Sequence, residues 1–140
     1  MSDFPSPTPA DIAAVLVAFE PLCEPDADLG HWSGGEEVER GVMQMPWFEY
    51  SDLVGAWERA LYEHNLIYDY LGTPEWYERY AAIGEDPALL ASADLTTICT
   101  VLSTVMRGER FCDGHIAGMF EAGVVHAAMA RLGELEGAQD

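Results

Sequence analysis

The chain has 140 residues, of which 49% are hydrophobic, and 25 acidic residues against six basic ones give a formal net charge of −19. This length predicts a single domain, and the negative charge argues against direct binding to nucleic acid or to anionic membrane surfaces. All the basic residues are arginines, which excludes lysine-dependent chemistry such as Schiff-base formation.

The beginning of the chain predicts a cytoplasmic protein. It lacks the basic start and the apolar run of a signal peptide, and no apolar stretch approaches the roughly 20 residues that span a bilayer. The cysteines Cys23, Cys99 and Cys112 form an odd and widely spaced set, so we expect reduced, buried thiols rather than disulfides.

The first third of the chain predicts one helix and one long loop. Residues 1–8 are rich in proline and serine and predict a flexible tail, after which Thr8 caps a helix that opens at Pro9. Residues 23–45 carry many acidic residues and no clear periodicity, which predicts a long acidic loop near the N-terminus.

Two helices are predicted in the aromatic middle of the chain. Ser51 caps the second helix, and Thr73 caps the third with proline following it. A short aromatic stretch over residues 66–70 between them is compatible with extended structure. The apolar faces of the two helices contain Leu53, Val54, Trp57, Leu61, Trp76, Tyr77, Tyr80 and Ile83.

The fourth helix is expected to be the central one. From Ser92 or Ala93 to Arg107, apolar residues recur at helical spacing, and the opposite face carries threonine and serine instead of charge. A helix with no charged face is usually buried on both sides, and short hydroxyls can bond to carbonyls of their own helix.

The remaining elements complete a helical bundle. Gly108 is expected to end the fourth helix, Asp113 to cap a short helix through Glu121, and a last helix to run from Val124 to about Leu135. The sum predicts an all-α fold, a single-domain bundle of five or six helices over residues 9–136.

A candidate site lies in the segment 107–115, which places two arginines, a thiol, a carboxylate and an imidazole between two helices. The candidate residues are Arg107, Arg110, Cys112, Asp113, His115 and Glu121.

Three functional interpretations of this segment stay open beside a structural one. The arginines and free backbone amides could bind an anion. Cys112 and His115 are weak metal ligands, since one such pair is half of a zinc signature. Cys112 could also be a nucleophile activated by its neighbours. In the structural interpretation, the arginines pair with local carboxylates and helix-end carbonyls, Phe111 and Cys112 plug the core, and Asp113 caps a helix.

The acidity has three explanations: a solvated surface, a surface offered to a basic protein partner, including a nucleic-acid mimic, and adaptation to high salt. We expect a non-enzymatic acidic interaction or regulatory module without a cofactor. A small enzyme or an anion-binding or metal-binding domain at the 107–115 turn is the alternative.

Four features carry a family resemblance: Ala93-Asp94 before the threonine-rich helix, the run 107–115, Phe120-Glu121-x-Gly123, and Arg131-Leu132. With them, the stretch from about Tyr62 to Leu132 resembles a family of uncharacterised bacterial proteins, a domain of unknown function. The resemblance implies a genuine domain and no established activity.

Overall fold

The computed structural model describes residues 6–68 and 72–138, and helices dominate them. Within these ranges no helix combines the length and apolarity needed to cross a bilayer. Short 3-10 helices at Glu20–Leu22 and Pro87–Ser92 follow the first and third of the α-helices. The α-helices are α1 (Pro9–Phe19), α2 (Asp52–Glu63), α3 (Pro74–Glu85), α4 (Leu95–Phe111), α5 (His115–Glu121) and α6 (Val124–Ala138).

The helix starts follow the predicted capping residues. The Thr8 side chain accepts a hydrogen bond from Asp11 N, and the Asp11 carboxylate accepts one from Thr8 N, which forms a capping box. Ser51 and Thr73 cap α2 and α3 in the same way, each through its hydroxyl. Residues 1–5 of the predicted tail and residues 69–70 of the aromatic stretch lie outside the described residues.

The structure differs from the predicted acidic loop, because residues 30–50 form a β-hairpin. Strand β1 (Gly30–Ser33) pairs antiparallel with β4 (Trp47–Tyr50), and β2 (Glu37–Glu39) pairs antiparallel with β3 (Val42–Met43). Hydrogen bonds from Gly35 N to Gln44 O and from Gln44 N to Glu36 O, both 2.8 Å, continue the ladder between the two pairs. We call residues 30–50 the β-arm. The fold is therefore mostly helical with a small sheet component, rather than all-α.

The middle of helix α4 is buried on both faces, as its uncharged sequence predicts, while its first and last turns are partly exposed. Every residue from Val101 to Met106 is buried, and α4 packs against both α5 and α6. The Ser103 hydroxyl donates to Cys99 O and the Thr104 hydroxyl to Thr100 O, each at 2.7 Å. Because the buried hydroxyls are satisfied within the helix, their burial carries little desolvation cost.

Aromatic rings join the other helices around this centre. Trp57 of α2 is fully buried, with its ring centroid 5.7 Å from Phe19 and 5.4 Å from Phe120. Helix α1 packs on α2 and α6, which closes the core on that side. On the other side, Trp76 of α3 donates from its indole nitrogen to the Thr104 hydroxyl at 2.9 Å. Tyr77 and Leu53, which were predicted on the core faces of their helices, are 44% and 37% exposed.

Candidate functional site

The prediction that Gly108 ends the fourth helix is wrong, since α4 continues to Phe111. The reason for glycine is the close approach of a side chain from α5. A Cβ atom at Gly108 would lie 2.3 Å from Cδ2 of His115, a distance that no real Cβ contact reaches. Gly108 therefore makes room for the His115 imidazole, at the expense of helix propensity.

Glu109, on the last turn of α4, caps the next helix. Its carboxylate accepts hydrogen bonds from Gly114 N and Ile116 N, both at 2.9 Å. A carboxylate is favoured there by the free amides and the positive end of the helix dipole. The prediction that Asp113 caps this helix is wrong: Gly114 is the N-cap residue, with φ +84°, and its own side chain supplies no cap.

Glu109 also holds the β-arm. The Tyr50 hydroxyl donates to Glu109 Oε1 at 2.6 Å and accepts from Ala117 N at 3.1 Å. Burial, together with the hydrogen bond to Glu109, raises the pKa of the Tyr50 phenol well above its usual range. Tyr50 therefore stays protonated and donates across the whole physiological pH range.

Asp113 and Gly114 form two further contacts with the β-arm. The Asp113 carboxylate accepts from Phe48 N at 2.7 Å, a charge-assisted bond between side chain and strand. The Trp32 ring covers Gly114, where a Cβ atom would lie 2.6 Å from the indole. We call residues 109–114 the anchoring turn, because they attach the base of the β-arm to the helical body.

In the described structure, the far end of the β-arm makes no comparable contacts with the helical body. Every residue from Gly35 to Trp47 is exposed, and we call this segment the arm tip. It carries a set of large apolar side chains: Val38 (58% exposed), Val42 (49%), Met43 (61%), Met45 (81%) and Trp47 (38%). Such exposure on a short hairpin is unusual for a surface that faces only water.

The core-plug interpretation of the 107–115 turn is wrong. Phe111 is 78% exposed, and Cys112 is exposed as well. Among the described residues, neither Arg107 nor Arg110 forms an ion pair or a hydrogen bond, so the expected pairing with local carboxylates and helix-end carbonyls is also wrong. The Arg107 guanidinium instead lies 5.6 Å from the centroid of the Phe111 ring. The carboxylates of Glu109 and Asp113, and not the arginines, connect this turn to the neighbouring elements.

A groove of about 180 Å³ opens between α3 and the last turns of α4. Its lining includes Tyr77, Tyr80, Arg107, Phe111 and His115. The Tyr80 hydroxyl and His115 Nε2 lie 2.9 Å apart and share a hydrogen bond. Burial lowers the pKa of His115, which favours the neutral form of its imidazole.

The structure does not bring all predicted site residues together. Glu121 lies at the end of α5 and borders a separate depression with Leu22 and His126. Cys112 is exposed, and His115 turns its Nε2 to Tyr80. Within residues 6–68 and 72–138, no three His, Cys, Asp or Glu side chains are grouped closely enough to hold a metal ion.

The cysteines follow the burial prediction only in part. Cys99 is buried within α4, and burial raises the pKa of its thiol to about 11. Cys23 and Cys112 are exposed, contrary to the prediction.

Sequence reasoning missed the partners of the turn, above all Tyr50, Tyr80 and Trp32. The available signal was a pair of aromatic segments, 31–32 and 47–50, on either side of glycine-rich and proline-containing stretches. That pattern is typical of a hairpin, but nothing in it indicates where the hairpin docks.

The comparisons with known proteins identify the domain family. No curated protein and no solved structure matches this chain. Residues 7–138 match a family described only as of unknown function, DUF6508. That match covers most of the chain, including the β-arm, the anchoring turn and the groove, so the chain belongs to the family of unknown function DUF6508.

Proposed function

We propose that this domain is a non-enzymatic protein-interaction module whose arm tip binds a basic protein partner. The observation that carries the proposal is the arm tip itself, thirteen consecutive exposed residues (35–47) with large apolar side chains. A small enzyme at the turn and a nucleic-acid mimic stay predictions from the sequence.

The apolar content of the arm tip supports a macromolecular contact. An isolated two-stranded hairpin is marginally stable in water, and one that displays valine, methionine and tryptophan gains stability by burying them. Met43 and Met45, with 61% and 81% of their surface exposed, are flexible side chains that adapt to the shape of a partner. Apolar side chains surrounded by polar ones are typical of an interface core and its rim.

The charge of the arm tip supports a basic partner. Glu36, Glu37 and Glu39 belong to the same exposed segment as the apolar residues, with Arg40 as the one cation of the segment. A second copy of the chain carries the same net charge of −19 and is repelled at long range. A partner surface with lysine or arginine around an apolar groove is complementary to the arm tip in both charge and hydrophobicity.

The anchoring turn supports the same function. Three residues of the β-arm contact the anchoring turn: Tyr50 contacts Glu109, Phe48 contacts Asp113, and Trp32 contacts Gly114. Fixing the base reduces the conformational entropy that the hairpin loses on binding. The turn therefore contributes to affinity without touching the partner.

A peptide library displayed on phage tests the proposal. The library is selected on the wild-type chain and counter-selected on a tip variant with Val42, Met43 and Met45 all changed to Ser. We expect the selected peptides to combine arginine or lysine with large apolar residues. Synthetic copies should bind the wild type at least ten-fold more tightly than the tip variant, a difference of about 1.4 kcal/mol.

The matched control changes two exposed apolar residues outside the β-arm to Ser, Val17 and Leu89, which are 66% and 52% exposed. This control variant should bind the peptides as the wild type does. Peptides that bind the tip variant equally well, or that carry no excess of basic residues, would contradict the proposal. Sedimentation that shows a dimer lost in the tip variant would assign the arm tip to a second copy of the chain instead.

A further inference from the structure

The groove between α3 and α4 is independent of the arm tip and has a chemistry of its own. Its volume of about 180 Å³ is slightly above the roughly 150 Å³ at which a protein cavity holds one benzene molecule. The groove therefore has space for a single aromatic ring with a small polar group.

One wall of the groove carries a cation without a carboxylate partner. Arg107 is partly exposed and, within the described part of the chain, forms no ion pair, although acidic residues outnumber basic ones 25 to six. Arg131 shows the alternative: its guanidinium donates to Ala93 O at 2.8 Å and to Glu134 at 3.3 Å. The donors of Arg107 are available, and the planar fork of a guanidinium suits a carboxylate or a phosphate.

Aromatic rings face this cation. Phe111 is 78% exposed and Tyr77 is 44% exposed, and both line the groove. Two exposed rings that border one small space form a surface for stacking a flat apolar group. Their exposure is a cost to the free protein that an aromatic ligand would reduce.

The remaining wall is held rigidly. The His115 ring lies directly over Gly108, and its Nε2 shares a hydrogen bond with the Tyr80 hydroxyl at 2.9 Å. The imidazole is fixed from two sides, so this wall of the groove is formed before any ligand enters. A preformed pocket binds with a smaller loss of conformational entropy than one that must assemble.

We infer that this groove binds a small aromatic anion, with Arg107 holding the carboxylate or phosphate and Phe111 and Tyr77 contacting the ring. A cation is disfavoured by Arg107, and a neutral ring leaves the guanidinium, which contacts the Phe111 ring, without an anionic partner. The inference goes beyond the proposed function and does not depend on it, because no residue of the arm tip lines the groove.

Titrations followed by two-dimensional amide NMR test the inference, with benzoate and phenyl phosphate as probes. Two control ligands each lack one feature of benzoate: benzamide lacks the charge, and acetate lacks the ring. At least one aromatic anion should shift the amides of residues 104–115 and bind about ten-fold more tightly than benzamide or acetate.

Variants locate the contact. Arg107→Gln should weaken binding of the aromatic anion about ten-fold, equivalent to ~1.4 kcal/mol. Arg110→Gln is the matched control, because Arg110 is exposed and lies outside the groove lining. This variant should bind the aromatic anion with an affinity within two-fold of that of the wild type. Phe111→Ser, at an exposed position, tests the ring contact without disturbing the core.

Binding of both benzoate and phenyl phosphate that is no tighter than that of benzamide would overturn the inference. Unchanged binding of the aromatic anion in both Arg107→Gln and Phe111→Ser would overturn it as well. So would amide shifts that lie outside the groove. The tip variant separates the two proposals: it should lose peptide binding and keep anion binding.

Discussion

Replacement of Glu109 by Ala should destabilise the domain by about 3 kcal/mol, counting three hydrogen bonds at ~1 kcal/mol each. The lost bonds come from Gly114 N, Ile116 N and the Tyr50 hydroxyl, and all are partly buried. The better helix propensity of alanine returns only about 0.3 kcal/mol. Glu109→Gln keeps one acceptor oxygen and should cost about half as much.

Urea unfolding followed by tryptophan fluorescence measures the effect. With a slope of about 2 kcal/mol per molar urea, the midpoint of Glu109→Ala should fall by about 1.5 M. Glu78→Ala is the matched control, because Glu78 is exposed on α3 and forms no hydrogen bond among the described residues. A Glu109→Ala midpoint within 0.25 M of this control, about 0.5 kcal/mol, would refute the assignment of Glu109 as the link between α4, α5 and the β-arm.

Three further predictions concern α4 and the groove. Thr104→Val leaves the Trp76 indole without its acceptor and should cost about 2 kcal/mol in urea unfolding, whereas Thr100→Val should cost less than about 0.5 kcal/mol. The Cys99 thiol should react with Ellman's reagent only on unfolding, after the two exposed thiols; three equally fast thiols would contradict its burial. Burial lowers the pKa of His115 below 6.5 in the folded state, so as the pH falls the unfolded state binds this proton first and the free energy of unfolding decreases below pH 6.5. In His115→Gln this dependence of stability on pH should disappear. An NMR titration midpoint of His115 above 6.5 would contradict the assignment.

The helix starts follow from the sequence because capping is local. Thr8, Ser51 and Thr73 each bond to an amide three residues further on, so the residues that decide the start stand side by side. The burial of α4 follows from its composition for the same reason. A serine and threonine face without charge leaves few alternatives to a buried helix.

The ends of α4 and α5 depend on contacts that short-range rules do not contain. Gly108 has the sequence signature of a helix end, yet it is glycine because His115 returns over it. Asp113 stands where a cap is expected, but Glu109 reaches the same amides from the preceding helix. Both errors arise because the chain folds back on itself at the turn.

The β-arm was not predicted from the sequence, for a different reason. Its strands β1 and β4 pair across the whole arm tip, and non-local pairing leaves only a weak pattern in the sequence. The acidic and glycine residues between them favour a loop by composition alone. The docking of Trp32 and Tyr50 on the turn joins segments at least 59 residues apart, which no local sequence pattern indicates.

Amide hydrogen exchange of Phe48 tests most directly whether the turn anchors the β-arm. In Asp113→Ala, which removes the 2.7 Å bond to Phe48 N, protection of Phe48 and its strand neighbours should fall about ten-fold while α4 stays protected. Asp26→Ala, at an exposed carboxylate without a hydrogen bond in the described structure, should leave both unchanged. Undiminished protection of the β-arm in Asp113→Ala would contradict the account.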